Sequence, residues 1–414
     1  METAYDPARV ESRWLGRREP GSVLPAGSRT EGLEAVLGEV VEDIFDRRAR
    51  MCGGAREVPG PVARPAIAID PEPDVSRYCV DAFRFGLALL VRNGTGGRPG
   101  VSRLEQGRHF LNKLWHASRY ALDRLQEAAP GEDAKPPFED RWILSRLHRT
   151  VRHVGENLDA GRLSEAAEIA DGFVPHELSE WYLPLAKGRP VADAALLGTL
   201  AETLRVLSPL LFPLVPIVTE EIRNHLSRVL GEPPVSLEDE PWPEPDDTKI
   251  DDAADGEMRV VIRIVRKVRN IRGLSRVPTG AEPVATVSAA DESAAALLIR
   301  HSERIRRLAG VSAVVAGVDL TPPRGAAAGG VGEFQVFLSF GEEVDPRAEI
   351  DRLRGESYEL VEQVRSSERR LQNRDFLERA PAEVVDRERI RRDGLADRLA
   401  RIQQHIESLE DARK

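Results

Sequence analysis

Apolar positions recur three and four residues apart along most of this chain, the spacing that puts them on one buried face of an α-helix. "TEGLEAVLGEVVEDIFDRRARM" places Leu33, Val36, Leu37, Val40 and Ile44 at that spacing, and the Gly/Pro-rich "CGGAREVPGPVARPAI" after it reads as a linker. Residues 1–70 are therefore expected to be a patchwork rather than a domain. From Val75 the pattern strengthens: "DAFRFGLALLVRN", a Gly-rich break, then "GRHFLNKLWHASRYAL", whose stripe of Phe110, Leu114, Ala117 and Ala121 continues to Leu125. Three more long helices follow, "EDRWILSRLHRTVRHVGENLDAG", "LSEAAEIADGFVPHELSEWYLPLAKG" and "VADAALLGTLAETLRVLSPLLFPLVPIVTEEIRNHLSRVLG". The last is kinked or divided by Pro209, Pro213 and Pro216. Together these predict an antiparallel helical bundle over 71–232, closed by a Pro- and Asp-rich linker over 233–256.

Over 257–343 the pattern changes. Arg259, Arg263, Arg266, Arg269, Arg272 and Arg276 recur three or four apart, with Val261, Val265, Val268 and Ile271 on another face, which predicts a basic amphipathic helix. "PVATVSA", "VSAVVAGV" and "EFQVFLSF" read as strands around the helix "SAAALLIRHSERIRRLAG", a small α/β unit whose insert "PPRGAAAGGVG" is expected to be a surface loop. Over 344–414, Ile350, Leu353, Ser357, Leu360, Val364, Ser367 and Leu371 alternate three and four apart, as do Leu395, Leu399, Ile402, Ile406 and Leu409. These are coiled-coil seams. "NRDFLERAP" breaks them, and Pro381 is placed to start a return helix, so an antiparallel hairpin is expected. The fold class is mainly α.

Composition narrows the function. The 414 residues contain two cysteines, Cys52 and Cys79, too few for a disulfide scaffold or a zinc site. The net charge of −10 argues against wrapping nucleic acid over the whole surface, although it leaves local basic faces open. No apolar run approaches the roughly 20 residues needed to span a bilayer, and "METAYDPARVE" has no secretion-signal pattern, so the expectation is a cytoplasmic chain without a membrane partner. No His/Glu spacing suits a metal, and "GTGGRPGVS" lacks the lysine of a phosphate loop, so no cofactor or metal is assigned.

"GRHFLNKLWHASRYAL", "DRWILSRL", "SEWYLPLAK" and "FPLVPIVTEEI", in this order and spacing, resemble the anticodon-binding bundle of valyl-tRNA synthetases, class I aminoacyl-tRNA synthetases. "VRKVRNIRGLSRVP", "VDPRAEIDRLRGE" and "RRLQNRDFLERAPAEVVDRER" resemble the family's C-terminal junction and tRNA-contacting coiled-coil arm. "AYDPARVESRW" and "IDPEPDVSRYCVDAFRF" are similar to segments flanking the family's catalytic part. The adenylation signatures, His-x-Gly-His and Lys-Met-Ser-Lys-Ser, are expected upstream of "IDPEPDV", where no histidine or lysine occurs; "HVGE" at 153–156 sits inside a bundle helix. The resemblance therefore implies a non-catalytic relative that activates no amino acid, with no catalytic residue.

What remains is tRNA recognition, which uses cations for phosphates and flat side chains for unstacked bases. Arg108, Asn112, Lys113, Arg119 and Tyr120 share the side of the opening helix away from the stripe, and the resemblance adds Arg103 just before it and a base-contacting role for Tyr120. Trp115 reads as core. In the arm, Arg369, Arg370 and Arg374 approach the tip and Arg387 and Arg391 leave it, a basic end for the tRNA elbow. The implied partner is tRNA, valine tRNA first, held or presented for an aminoacyl-tRNA-using enzyme or the parent synthetase. The alternatives are a subunit of a split ligase and a scaffold that no longer binds tRNA.

Overall fold

A computed structural model describes residues 6, 9–11, 33–53, 78–90, 102–130, 136–274, 282–323, 326–339, 346–373, 376 and 382–411. The chain divides into two compact units, Met1–Gly256 and Glu257–Lys414.

The first unit is helical: α1 (Leu33–Met51), α2 (Val80–Ala88), α3 (Ser102–Glu127), α4 (Phe138–Asp159), α5 (Leu163–Asp171), α6 (Leu183–Ala186), α7 (Ala194–Leu211) and α8 (Pro216–Leu230). A π-helical stretch, Gly172–Tyr182, joins α5 to α6 around Pro175, which has no amide to give to an α-helical ladder. The proline-rich run does divide its helix. Residues 212–215 form a turn, Pro216 opens α8, and Gly231 closes it in the left-handed conformation at φ 68°.

α2 and α3 cross nearly backbone to backbone at Gly86 and Gly107, where Phe85 and Phe110 stack with centroids 3.9 Å apart. α7 is long and apolar enough by length and composition to cross a membrane, but 67% of it is buried inside this unit, so that its apolar face is core.

A buried carboxylate ties α2 to α8. Asp81 accepts from the amides of Ile217 (3.3 Å) and Val218 (2.7 Å), two of the orphan donors at the α8 N-terminus. Burial pushes its carboxyl up to about 6 from an ordinary 3.8, despite those amides and the Arg84 charge. The folded chain therefore keeps a proton that the unfolded chain releases. This stabilisation is complete below about pH 4 and is lost as pH rises through about 6. Asp81→Asn is expected to gain on the wild type by on the order of 2–3 kcal/mol between pH 4 and pH 7. All five tryptophans lie before residue 257, so urea unfolding followed by their fluorescence reports this unit; a wild-type-to-variant difference that does not vary with pH would refute the assignment.

The stretch 233–256, expected as a linker, is folded onto the bundle. Leu237 is fully buried against Met51 and Phe212, Trp242 donates its amide to the Met51 carbonyl (3.0 Å), and Arg48 stacks on the Trp242 ring at 3.9 Å. Asp246 donates its amide to Nδ1 of buried His148 (3.1 Å), and Lys249 pairs with Glu202 (2.7 Å). Two apolar anchors and a few ion pairs suffice to pin an otherwise polar segment.

In the second unit, α9 (Asp252–Leu274, its first turn still in the first unit) precedes β1 (Val284–Ala289), α10 (Glu292–Arg300), α11 (Ser302–Ala309), β2 (Ala313–Val318), β3 (Ala327–Val331) and β4 (Phe334–Ser339). The sheet runs β2-β1-β4-β3, with β1 parallel to β2 and antiparallel to β4, and β3 antiparallel to β4. The insert expected as a loop thus contains β3, an edge strand of Ala and Gly. At Gly329 the end of the Lys267 side chain from α9 lies over the strand where a Cβ would be, a flexible neighbour that could move aside. Arg269 and Arg272 of α9 donate to the terminal carbonyls of α11 (Leu308 at 2.9 Å, Ala309 at 3.0 Å), so part of the basic face is spent on holding this unit together.

α12 (Pro346–Gln372) and α13 (Ala382–Asp411) form an antiparallel hairpin. Arg354 meets Glu410 (2.7 Å), Glu356 meets Arg398 (2.6 Å) and Ser367 meets Glu388 (2.7 Å), partners that descend in number as the first strand of the hairpin ascends. Ile350, Leu353, Leu360 and Ser367 are buried along the seam, facing elements that bury Val385 and Ile402.

Candidate nucleic-acid interface

α3 presents the expected residues on its open side because the opposite side is committed to the core: Phe110, Leu111, Leu114, Trp115, Ala121 and Leu122 are at most 3% exposed. Arg108 and Asn112 are exposed; Lys113, Arg119 and Tyr120 are half-buried at the flanks. Trp115 is core.

The charges are not equally available. Arg108 is clamped by Glu105 (2.6 and 3.0 Å), which also accepts from the Tyr78 hydroxyl (2.9 Å); these bonds hold the Glu105 carboxyl below its usual range. Arg103 donates to Gln106 (2.9 Å) and lies 3.5 Å from Glu168, while Gln106 is tied to Asp171 (2.6 Å). Lys113 has no hydrogen-bond or ion-pair partner among the described residues, which leaves its ammonium the most available cation of the set.

Tyr120 lies at the far flank, where Nζ of Lys187 is 5.9 Å from its ring centroid. Burial raises the pKa of its hydroxyl. Beside it Arg189 is neutralised by Asp140 (2.6 Å) and Asp193 (2.9 Å), and Tyr182 completes that buried cluster by donating to Asp140 (2.8 Å). Lys187 was not singled out by sequence. It falls within "SEWYLPLAK", but nothing in the spacing links it to a tyrosine 67 positions earlier.

In the second unit, Arg369, Arg370 and Arg391 are exposed on the hairpin. Arg370 lies 3.5 Å from Glu388 and 4.8 Å over the Phe376 ring, and Arg369 Nε donates to the Arg365 carbonyl (3.3 Å). Arg374 and the side chain of Arg387 lie outside the described residues. Among the described residues no cluster of His, Cys, Asp or Glu is placed to hold a metal.

Residues 140–288 match the anticodon-binding domain of tRNA ligases, and residues 345–410 match the valyl-tRNA synthetase tRNA-binding arm. α3 lies upstream of the first match. The matches define a protein that carries an anticodon-binding domain and a tRNA-binding arm of the tRNA-ligase type. The chain is 31% identical over 354 residues to a valine–tRNA ligase of Syntrophotalea carbinolica, 31% over 350 to one of Dehalococcoides mccartyi strain CBDB1, and 32% over 359 to one of Geobacter sulfurreducens. These alignments cover 82%, 81% and 84% of the chain, respectively, and 39%, 39% and 40% of the relatives. The chain is similar to part of the valine–tRNA ligases, and it spans about two-fifths of their length.

Proposed function

We propose that this chain binds tRNA without charging it, holding or presenting the tRNA, valine tRNA first, to an enzyme that uses aminoacyl-tRNA. The observation that carries this reading is that both modules matched are tRNA-binding ones, an anticodon-binding domain and an arm, in one chain. The open side of α3 supports it with an available ammonium at Lys113 and an aromatic ring at Tyr120. A phosphate contact and a stacking surface are what recognition of an unstacked loop requires.

The test is binding of a valine-tRNA transcript and of the same transcript with a swapped anticodon, at low and physiological salt. The expected result is saturable binding that weakens about tenfold with the swap, and a Lys113→Ala variant whose log-log salt slope is shallower by about 0.7 to 0.9. Binding to neither transcript would sink the proposal. ATP-dependent valylation by the chain alone would overturn its non-catalytic part, and valylation only on addition of a separate catalytic chain would replace it with a split ligase.

A further inference from the structure

Two buried polar groups lie near each other on one side of α3, the Tyr120 hydroxyl and the Arg124 guanidinium, whose charge acts on that hydroxyl. The Tyr120 hydroxyl and Arg124 Nε are both shielded from solvent, sit one helical turn apart, and have no hydrogen-bond partner among the described residues. The Arg124 guanidinium is not free to turn away, because its Nη2 donates to the carbonyls of Arg189 (3.3 Å) and Pro190. Lys187 stands over the Tyr120 ring, exposed and without a carboxylate partner among the described residues. Each unmade buried hydrogen bond costs on the order of 1–3 kcal/mol, so an acceptor that arrives from outside gains by satisfying both of these groups at once.

The chemistry of that acceptor follows from the donors. A guanidinium N–H and an ammonium only donate, and the tyrosine hydroxyl can donate as well as accept, so the set offers up to three donors and positive charge, which suits an anionic oxygen ligand. We propose that Tyr120, Arg124 and Lys187 form a seat for one phosphodiester of a bound RNA strand, with Lys187 swinging off the tyrosine ring to admit it. The seat extends the α3 surface from Lys113 towards the loop after α6, and it rests on the tRNA-binding function proposed above. Tyr120 then acts through its hydroxyl as well as its ring.

The test uses the full chain, Tyr120→Phe, Lys187→Ala and the double variant, against a valine-tRNA transcript and against transcripts carrying a single neutral methylphosphonate at successive anticodon-loop positions. Each single variant is expected to weaken binding about three- to tenfold at physiological salt. At one position the methylphosphonate should weaken the wild type by a similar factor and leave the double variant unaffected. Tyr120→Phe should not lower thermal stability, since it removes an unsatisfied hydroxyl and keeps the ring; a tyrosine with a purely structural role would show the reverse. If Tyr120→Phe and Lys187→Ala bind like the wild type while Lys113→Ala is weakened, the seat is overturned and the tRNA function stands. If the wild type binds no RNA, both fall. If inorganic phosphate, compared with chloride at equal ionic strength, displaces RNA from the wild type and from the double variant alike, the displacement lies elsewhere and the seat is overturned.

Discussion

Arg84→Met is expected to destabilise the first unit by about 3 kcal/mol, at the lower end of what removing one member of a buried ion pair costs. Arg84 is fully buried, and its Nη2 serves two acceptors, Asp43 Oδ2 at 2.7 Å and the Pro213 carbonyl at 2.8 Å. Burial lowers the pKa of the guanidinium, and Asp43 is the main group that opposes this. Methionine keeps much of the volume but no donor. Pro213 lies in the turn that divides α7 from α8, so its carbonyl becomes a buried acceptor without a partner in a segment that has no helix to supply one. Two effects soften the loss. Asp43 keeps Arg47 at 2.8 Å, and removing Arg84 relieves its repulsion of Arg47. The surface pair Arg205–Glu232 supplies the control: Arg205 is 47% exposed, and Arg205→Met should stay within about 0.5 kcal/mol of the wild type. Urea titration by tryptophan fluorescence reads both, and an Arg84→Met value as small as the control would show that the cluster contributes nothing to stability.

The helical half of this fold was legible because apolar periodicity and prolines are local signals. Phe110, Leu114 and Ala121 point inward as their spacing requires, and Pro216 opens α8 as a proline at a first helical position should. What could not be read depended on contacts distant in sequence. β3 is Ala-Ala-Gly-Gly-Val, a composition with low strand propensity that exists as a strand because β4 supplies its hydrogen bonds. The 233–256 stretch carries turn-forming residues, and its order comes from partners such as Met51 and His148, nearly two hundred and about one hundred positions away. In the candidate interface the positions of the α3 residues were legible and their availability was not. Glu105 stands three residues before Arg108 in the sequence, yet only the structure shows that it is also held by Tyr78 and oriented to clamp the guanidinium.

Gly107→Ala should be the most damaging single-methyl change in the first unit. Replacing glycine by alanine inside a helix ordinarily gains up to about 1 kcal/mol, because alanine loses less backbone entropy. At Gly107 the added Cβ would lie 2.3 Å from the Ala82 carbonyl oxygen and 3.0 Å from the Gly86 amide nitrogen. Those are backbone atoms of α2, which cannot rotate aside as a side chain can, so α2 and α3 must separate. Separation breaks the parallel stack of Phe85 on Phe110 and shifts α2, the helix that carries both Asp81 and Arg84. Overpacking of this kind costs 1–3 kcal/mol where neighbours yield, and the rigid neighbours here put the expected loss at about 3 kcal/mol or more. Gly198 in α7 makes the matched comparison, since a Cβ there meets nothing within 4 Å and Gly198→Ala should hold or gain stability. Opposite signs for the two variants, read by the same fluorescence titration, are the expected result; a neutral Gly107→Ala would mean that α2 and α3 do not approach this closely in solution, and would remove the physical basis for the orientation of the α3 open side.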